Sequence, residues 1–215
     1  MDKHTIAKLM LSIRQPQSIA SAILCAALIS PLTANADDLA DLIQLKTQSF
    51  LASTPTPSTI TATQHFYQSY ATAPNIDVAH IDTLYLAEQQ ATPASKQVLQ
   101  TVRQMTLDHK EIINGSCWDY LNAAFMRAGV TRDTVFKGEY PYGPFVDTNE
   151  IQPGDWLYYV NHSYNDVEHS GLFVGWLDRQ ANQALILSYA GENRQEPARY
   201  KVYDVSHTYN IMRPR

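Results

Sequence analysis

The fold of this chain is predicted most directly from the stretch GSCWDYLNAAFMRAG, residues 115–129. Ser116 is a favourable N-cap residue, and Asp119 three positions later completes the Ser-x-x-Asp capping pattern. Apolar residues then recur at helical spacing, and Gly129 stands where a left-handed C-terminal residue is expected. The pattern predicts a helix whose first residue is Cys117.

The position of Cys117 at a helix N-terminus favours its thiolate. The partial positive charge and the free backbone N–H groups of a helix N-terminus stabilise an anion. The same N–H groups can bind the oxyanion that forms on an attacked carbonyl. The alternative interpretation is a buried structural thiol, since free cysteines are usually buried, and position alone leaves both open.

The N-terminal segment, residues 1–36, has the pattern of a signal peptide. It carries three basic residues, Lys3, Lys8 and Arg14. An apolar run of about eleven residues follows at 19–29, and cleavage after Ala36 fits the small-x-small rule. We therefore expect an exported protein, periplasmic or secreted, that starts at Asp37. The run is shorter than the roughly 20 residues of a membrane span, so no integral span is expected, and an uncleaved anchoring helix is the alternative.

Removal of residues 1–36 changes the cysteine count and the charge. Cys25 is lost, so Cys117 has no partner for an internal disulfide and is a free thiol, an intermolecular bridge or a nucleophile. The whole chain carries 16 Lys and Arg and 21 Asp and Glu; the mature chain would keep 13 and 20 of these, a formal net charge of −7. This charge argues against nucleic acid and against an anionic membrane surface as partners.

Two regions are distinguished in the mature chain. Residues 37–92 are polar and are predicted to form a helical and linker region, which includes a Pro- and Thr-rich stretch at 53–59. Short helices are predicted here at 39–50, 65–70 and 81–88. This region could shield, position or dimerise the remainder, and the oligomeric state stays open. Residues 93–215 are predicted to form the folded domain.

Downstream of the cysteine helix the sequence changes to strand patterns. A Pro-Gly-Asp turn at 153–155 precedes an apolar strand at 156–160, and a polar loop leads to a second strand at 169–177. Further strands are predicted at 184–189, 199–205 and 209–212. Helices followed by consecutive strands predict an α+β domain with an antiparallel sheet.

The strand at 169–177 places a histidine on the same face as two glycines. That face holds His169, Gly171, Phe173 and Gly175. The opposite face holds Leu172, Val174 and Trp176. The glycines leave room for another element to approach the histidine's face closely.

Together these pieces resemble the NlpC-type branch of the papain-like cysteine peptidases, which are bacterial cell-wall enzymes. The matching residues are Cys117 at a helix start, Pro153-Gly154-Asp155-Trp156-Leu157, His169-Ser170-Gly171-Leu172-Phe173-Val174-Gly175, and Arg213-Pro214. The resemblance covers about residues 110–214. It implies a papain-like fold in which N-terminal helices pack on a small antiparallel sheet. The family usually reads Asp-Cys-Ser-Gly at the nucleophile, and this chain differs there, which makes it a divergent member.

The resemblance implies an exported thiol hydrolase that cleaves amide bonds in peptidoglycan stem peptides. Cys117 would be the nucleophile and His169 the general base. Two alternatives stay open: a thiol acyltransferase or amidase of the same fold acting on a lipid or protein, and a non-catalytic binding module of the cell envelope. No cofactor and no metal are expected. The one group that suggests a metal site, His162 and His169 with Asp166 and Glu168, has a spacing that matches no zinc motif.

The third catalytic residue is the least determined. The family places a polar residue on the strand after the histidine strand, where it orients the imidazole. A tight turn between these strands would put Ser188 opposite His169, whereas a wider loop would move the opposite position to Gly191. Counting along the family pattern favours Ser188, so the resemblance predicts Ser188, with Glu192 and Asn193 as the alternatives.

Overall fold

The computed structural model describes residues 61–215. The predicted signal peptide at 1–36 and the helix predicted at 39–50 lie outside these residues. The described part contains four α-helices: Ala62–Tyr70 (α1), Ile81–Gln90 (α2), Pro93–Arg103 (α3) and Cys117–Ala128 (α4). A π-helical turn, Gln104–Asp108, extends α3. No helix between residues 61 and 215 has the length and apolar character needed to cross a membrane.

Six strands follow the helical part, although β1 precedes the segment where strands were predicted. They are Arg132–Lys137 (β1), Trp156–Asn161 (β2), Val167–Asp178 (β3), Gln183–Ser188 (β4), Arg199–Asp204 (β5) and Thr208–Pro214 (β6). They form one sheet in the order β1-β6-β2-β3-β4-β5. Every neighbouring pair is antiparallel. The predicted α+β class with an antiparallel sheet is confirmed.

The helices cover one face of the sheet, which we call the helical face. Its core combines apolar side chains of α2, α3 and α4 with those of the central strands, among them Leu84, Leu99, Leu121, Leu172 and Leu187. All five are at most 2% exposed. Burial of a leucine side chain contributes about 1.5–3 kcal/mol, so this core is the main support of α4 and of the residue that begins it.

The predicted boundary between residues 92 and 93 does not separate two packing units. Ile81 of α2, 1% exposed, lies in the same core as Val98 of α3. Arg103 of α3 also donates to the buried Glu88 of α2, with 2.6 Å between Arg103 Nε and Glu88 Oε1. Residues 61–215 belong to one compact unit. Polar composition suggested a linker because α1 and α2 each bury only a narrow stripe of their surface.

The opposite face of the sheet, which we call the second face, carries its own apolar cluster. Strand residues Leu157, Phe173 and Ile186 pack there with Val146 and Ile151, which belong to the long connection between β1 and β2. The sheet is therefore buried on both sides at its centre. Side chains on either face of β3 are held in a packed environment.

A buried ion pair joins two pieces of the sequence pattern that lie far apart in the chain. Asp155 is 0% exposed and accepts from Arg213 Nε and Nη2, each at 2.8 Å. Arg213 Nη2 also donates to Glu150 O at 2.6 Å. Burial raises the pKa of Asp155, while the hydrogen bonds from Arg213 oppose that rise. The Pro-Gly-Asp turn and the Arg-Pro pair thus fix the start of β2 against β6.

A β-bulge in β3 moves two side chains away from their predicted faces. The pairing with β4 shifts between Phe173 and Gly175. Val174 lies in the helical core, and Gly175 also faces α2, because a Cβ there would stand 2.9 Å from Thr83 Cγ2. Trp176 consequently packs with the cluster of the second face. The predicted alternation holds as far as Val174 and is wrong beyond it.

Candidate active site

The N-terminus of α4 has the predicted capping box. Ser116 Oγ accepts from Trp118 N at 3.2 Å, and Asp119 Oδ2 accepts from Ser116 N at 2.7 Å. These hydrogen bonds from Ser116 hold the pKa of the Asp119 carboxyl below its ordinary value. Cys117 is the first residue of the helix, and its backbone N–H has no acceptor among residues 61–215. That N–H can therefore meet an oxyanion formed beside the thiol.

The segment before α4 is tied to the end of β4. Tyr189 OH donates to Ile113 O at 2.6 Å and accepts from Ile113 N at 3.1 Å. Glu192 N donates to Gly115 O at 2.9 Å. Gly191 has φ of 91°, and a Cβ there would stand 3.3 Å from Gly115 O, so a side chain is disfavoured by both conformation and space. These contacts hold the N-terminus of α4 against the segment that follows β4.

A cavity of about 940 Å³ opens where β4 ends. Cys117, His169 and Ser188 all line it. Because β4 ends at Ser188, the described part of the chain places no strand beside His169 on that side of β3. The volume lies within the ~300–1,000 Å³ typical of ligand sites. The three predicted catalytic residues therefore share one cavity.

His169 is bound to Ser188. The distance between His169 Nε2 and Ser188 Oγ is 2.8 Å, and Tyr203 OH donates to the same Ser188 oxygen at 3.1 Å. The rings of Tyr159 and Tyr203 pack with their centroids 5.6 Å and 6.0 Å from the imidazole. Burial lowers the pKa of His169 to about 4. The imidazole is therefore neutral at neutral pH.

The hydrogen bonds around Ser188 allow a tautomer of His169 whose free nitrogen is Nδ1. A hydroxyl oxygen has two lone pairs and can accept from both Tyr203 OH and His169 Nε2–H. In that tautomer the lone pair is on Nδ1 of His169. Nδ1 has no hydrogen-bond partner among residues 61–215. In this tautomer Nδ1 is available to take a proton.

The sulfur of Cys117 contacts Ser170 rather than His169. Ser170 is 2% exposed and its Oγ donates to Cys117 Sγ at 3.3 Å. Within residues 61–215 no hydrogen bond joins Cys117 to His169. The alternation of β3 explains this, because Ser170 points to the helical face, where α4 packs. His169 points to the second face, beside Tyr159 of β2.

The space left by Gly171 is filled by the sheet itself. A Cβ at this position would collide with the Ile186 side chain of β4 and stand 3.6 Å from Tyr159 OH. The glycine does permit a close approach, as predicted. The approaching groups come from the neighbouring strands, and α4 lies on the other face.

The register of β3 and β4 is not that of a tight turn. Leu172 pairs with Leu187, whereas a tight turn would pair it with Leu185. Ser188 therefore lies diagonally from His169 rather than directly opposite. Diagonal cross-strand side chains are about 7–8 Å apart, within reach of a long side chain. The contact between Ser188 and His169 forms, although the tight-turn register is wrong.

The alternative third residues, Glu192 and Asn193, lie in a 3₁₀ turn, Glu192–Arg194. Both line the cavity. In the described part of the chain neither side chain hydrogen-bonds to His169. Ser188 is thus the one of the three candidates that contacts the imidazole.

The other histidine cluster lies in the turns beyond β2 and β5. His162 Nδ1 and Asp166 Oδ1 are 2.7 Å apart, and His162 Nε2 and His207 Nδ1 are 2.7 Å apart. Across residues 61–215, no set of three or more His, Cys, Asp or Glu side chains is arranged to hold a metal ion. The cluster joins two surface turns by hydrogen bonds.

Sequence reasoning missed two residues of this site, Ser170 and Tyr203. Strand alternation places Ser170 on the face opposite His169, but it does not show that α4 covers that face. Tyr203 reaches Ser188 from β5, and a contact between strands so far apart in sequence leaves no local pattern.

In comparisons with known proteins, no family model matches the chain, and neither does any curated protein or any solved structure. The fold is therefore assigned as α+β with a six-stranded antiparallel sheet.

Proposed function

We propose that the protein is an exported thiol hydrolase of the papain-like, NlpC-type class that cleaves amide bonds in peptidoglycan stem peptides. The observation that carries this proposal is the shared cavity of Cys117 and His169. A thiol at a helix N-terminus supplies a nucleophile and an N–H donor. A neutral imidazole with a free nitrogen supplies a base. The signal-peptide pattern of residues 1–36 supports export.

In the first half of the reaction, the thiol of Cys117 turns from Ser170 towards the cavity and gives its proton to His169 Nδ1. The sulfur attacks the carbonyl carbon of the amide, and the carbonyl π electrons move to oxygen. The N–H of Cys117 donates to the resulting oxyanion. The C–N bond then breaks, and the imidazolium gives its proton to the leaving amine.

In the second half, water hydrolyses the thioester. His169 Nδ1 takes a proton from the water while its oxygen bonds to the carbonyl carbon. Collapse of this intermediate breaks the C–S bond, and the imidazolium returns its proton to the thiolate. Ser188 keeps the ring in place through both halves by accepting from Nε2–H.

The neutral state of His169 distinguishes general-base activation from a preformed ion pair. Burial lowers the pKa of His169 to about 4, so a resting imidazolium is disfavoured. The hydroxyl of Ser170 compensates in the resting site, because a hydroxyl that donates to sulfur stabilises the thiolate more than the thiol.

The decisive experiment is digestion of purified peptidoglycan by the mature chain, with mass spectrometry of the released fragments. We expect new amino and carboxyl termini within the stem peptide or its cross-bridge, and none with Cys117→Ala. Activity should persist with a chelator present. New termini that appear equally with Cys117→Ala would refute the proposal.

Two other outcomes identify the alternatives. A lipid or protein acyl substrate that turns over, while peptidoglycan stays intact, indicates the acyltransferase or amidase of the same fold. An absence of turnover together with an unreactive Cys117 indicates a binding module.

A further inference from the structure

Three cationic side chains line the cavity that holds Cys117: Arg194, Arg199 and Lys201. They come from the 3₁₀ turn after β4 and from β5. The mature chain is acidic overall, with a formal net charge of −7. A concentration of cations at this cavity therefore departs from the average character of the protein.

The strand register places two of these cations next to the predicted catalytic residues. Arg199 pairs with Ser188, and Lys201 pairs with Ile186. Directly opposed residues share a face of the sheet, with Cβ atoms about 4.5–5.5 Å apart. Arg199 thus flanks the hydroxyl bound to His169, and Lys201 lies one step further along the same edge.

Two of the three cations at the cavity have no ion-pair partner in the described part of the chain. Arg199 forms an ion pair with Glu196. Arg194 and Lys201 form no ion pair with any carboxylate between residues 61 and 215. Of the acidic residues lining the cavity, Asp119 is engaged by Ser116 in the capping box. These hydrogen bonds keep Asp119 ionised, since they lower its pKa. The lining therefore contains two carboxylates, Asp119 and Glu192, and neither forms an ion pair with Arg194 or Lys201 within residues 61–215.

We propose that the cavity binds an anionic group of the substrate, a carboxylate in the case of a peptide, beside the amide bond that Cys117 attacks. Arg194 and Lys201 bind this group directly, and Arg199 contributes once it exchanges Glu196 for the ligand. The identity of the reaction rests on the proposed function, whereas the two unpaired cations, Arg194 and Lys201, line the cavity of Cys117 whatever the reaction is. A carboxylate next to the scissile bond is then a requirement for efficient cleavage.

The field at Cys117 is measured by alkylation with a neutral and an anionic reagent, iodoacetamide and iodoacetate. The ratio of the iodoacetate rate to the iodoacetamide rate should fall about fourfold in the double variant Arg194→Ser/Lys201→Ser. This figure takes each removed unit charge to change the ratio about twofold in a water-like medium. High salt should bring wild type close to the double variant. Lys137→Ser, an exposed lysine of β1 away from the cavity, should leave the ratio unchanged.

An unchanged ratio in the double variant, while both reagents react, overturns the inference. Failure of Cys117 to react with either reagent overturns it too, because the thiol would then not open into the cavity.

The substrate requirement is tested with peptidoglycan stem peptides whose carboxylates are free or chemically amidated. Wild type should prefer the free carboxylate form by at least tenfold in kcat/KM, and the double variant should lose most of that preference. Equal cleavage of both forms overturns the inference while leaving the proposed hydrolase intact. A lower alkylation ratio in the double variant, with no cleavage of any peptide, would contradict the proposed hydrolase and would still support the anion site.

Discussion

Two adjacent residues of β3 lie in different halves of the site. Ser170, on the helical face, contacts the sulfur of Cys117. His169, on the second face, is bound to Ser188 and packed between Tyr159 and Tyr203. The proposed nucleophile is thus contacted from one side of the strand and the proposed base from the other, and both line the cavity beyond the end of β4. A substitution at Ser170 therefore removes no hydrogen bond of His169, and a substitution at Ser188 removes none of Cys117.

The largest effect is expected from removing either chemical group. Cys117→Ala should abolish turnover, and His169→Ala should lower kcat by about 10²–10⁴-fold, as for loss of a general base. Both variants should keep the circular dichroism spectrum of wild type. His65→Ala, at an exposed histidine of α1, is the matched control and should remain fully active. Substantial turnover by His169→Ala would place the base elsewhere.

The second prediction concerns pH and tests the burial of His169 on the second face. Because the pKa of His169 is lowered to about 4, the acid limb of the kcat/KM profile should lie near pH 4 rather than near the ordinary histidine value of about 6.5. The group is neutral when folded. Its contribution to the free energy of unfolding is therefore complete above pH 6.5 and lost as the pH falls towards 4, by at most about 3 kcal/mol.

Urea unfolding at pH 7 and pH 4.5 measures this stability change. His169→Gln should lose less stability between the two pH values than wild type, while His65→Gln should match wild type. An equal loss in wild type and His169→Gln would show that the imidazole is not buried in its neutral form.

The third prediction separates the candidates for the orienting residue. Ser188→Ala should reduce kcat about tenfold, the effect of one lost hydrogen bond of roughly 1.4 kcal/mol, with little change in KM. Tyr203→Phe should have a smaller effect in the same direction, because it removes a bond to Ser188 and none to the imidazole. A large loss at Glu192→Ala or Asn193→Ala, with Ser188→Ala near wild type, would contradict this assignment.

The smallest effect is expected on the helical face. Ser170→Ala removes the hydrogen bond to Cys117 Sγ and should slow alkylation by iodoacetamide at neutral pH about twofold to fivefold, because the thiolate fraction falls. The exposed Ser69→Ala of α1 is the control. A faster reaction in Ser170→Ala would mean that Ser170 shields the thiol instead of stabilising its anion.

Elements with a strong local pattern were predictable from the sequence. The capping box at Ser116 and Asp119, the left-handed Gly129 and the start of β2 at Trp156 all lie where they were predicted. Each depends on residues within a few positions of one another. The local chemistry alone is sufficient in these cases.

Elements that depend on distant neighbours were not predictable. β1, Arg132–Lys137, has a mostly polar sequence and is a strand because it pairs with β6. The packing of α2 against the rest of the core needed a partner that the sequence does not display. The contact between Cys117 and Ser170 forms because α4 packs on the helical face. Strand alternation separates the two faces of β3 but does not show which of them a helix covers.

The strand order carries a consequence for when the protein can become functional. β6, residues 208–214, lies between β1 and β2, so these two earlier strands have no common partner until it has been synthesised. Asp155 likewise stays without its buried counter-ion until Arg213 arrives. Contacts so distant in sequence form slowly and late. A growing chain therefore cannot join β1 to the other strands before β6 is made, whereas β2 to β5 can pair without it. If the chain is exported, the complete six-stranded sheet and its buried ion pair form only once the last strand is available.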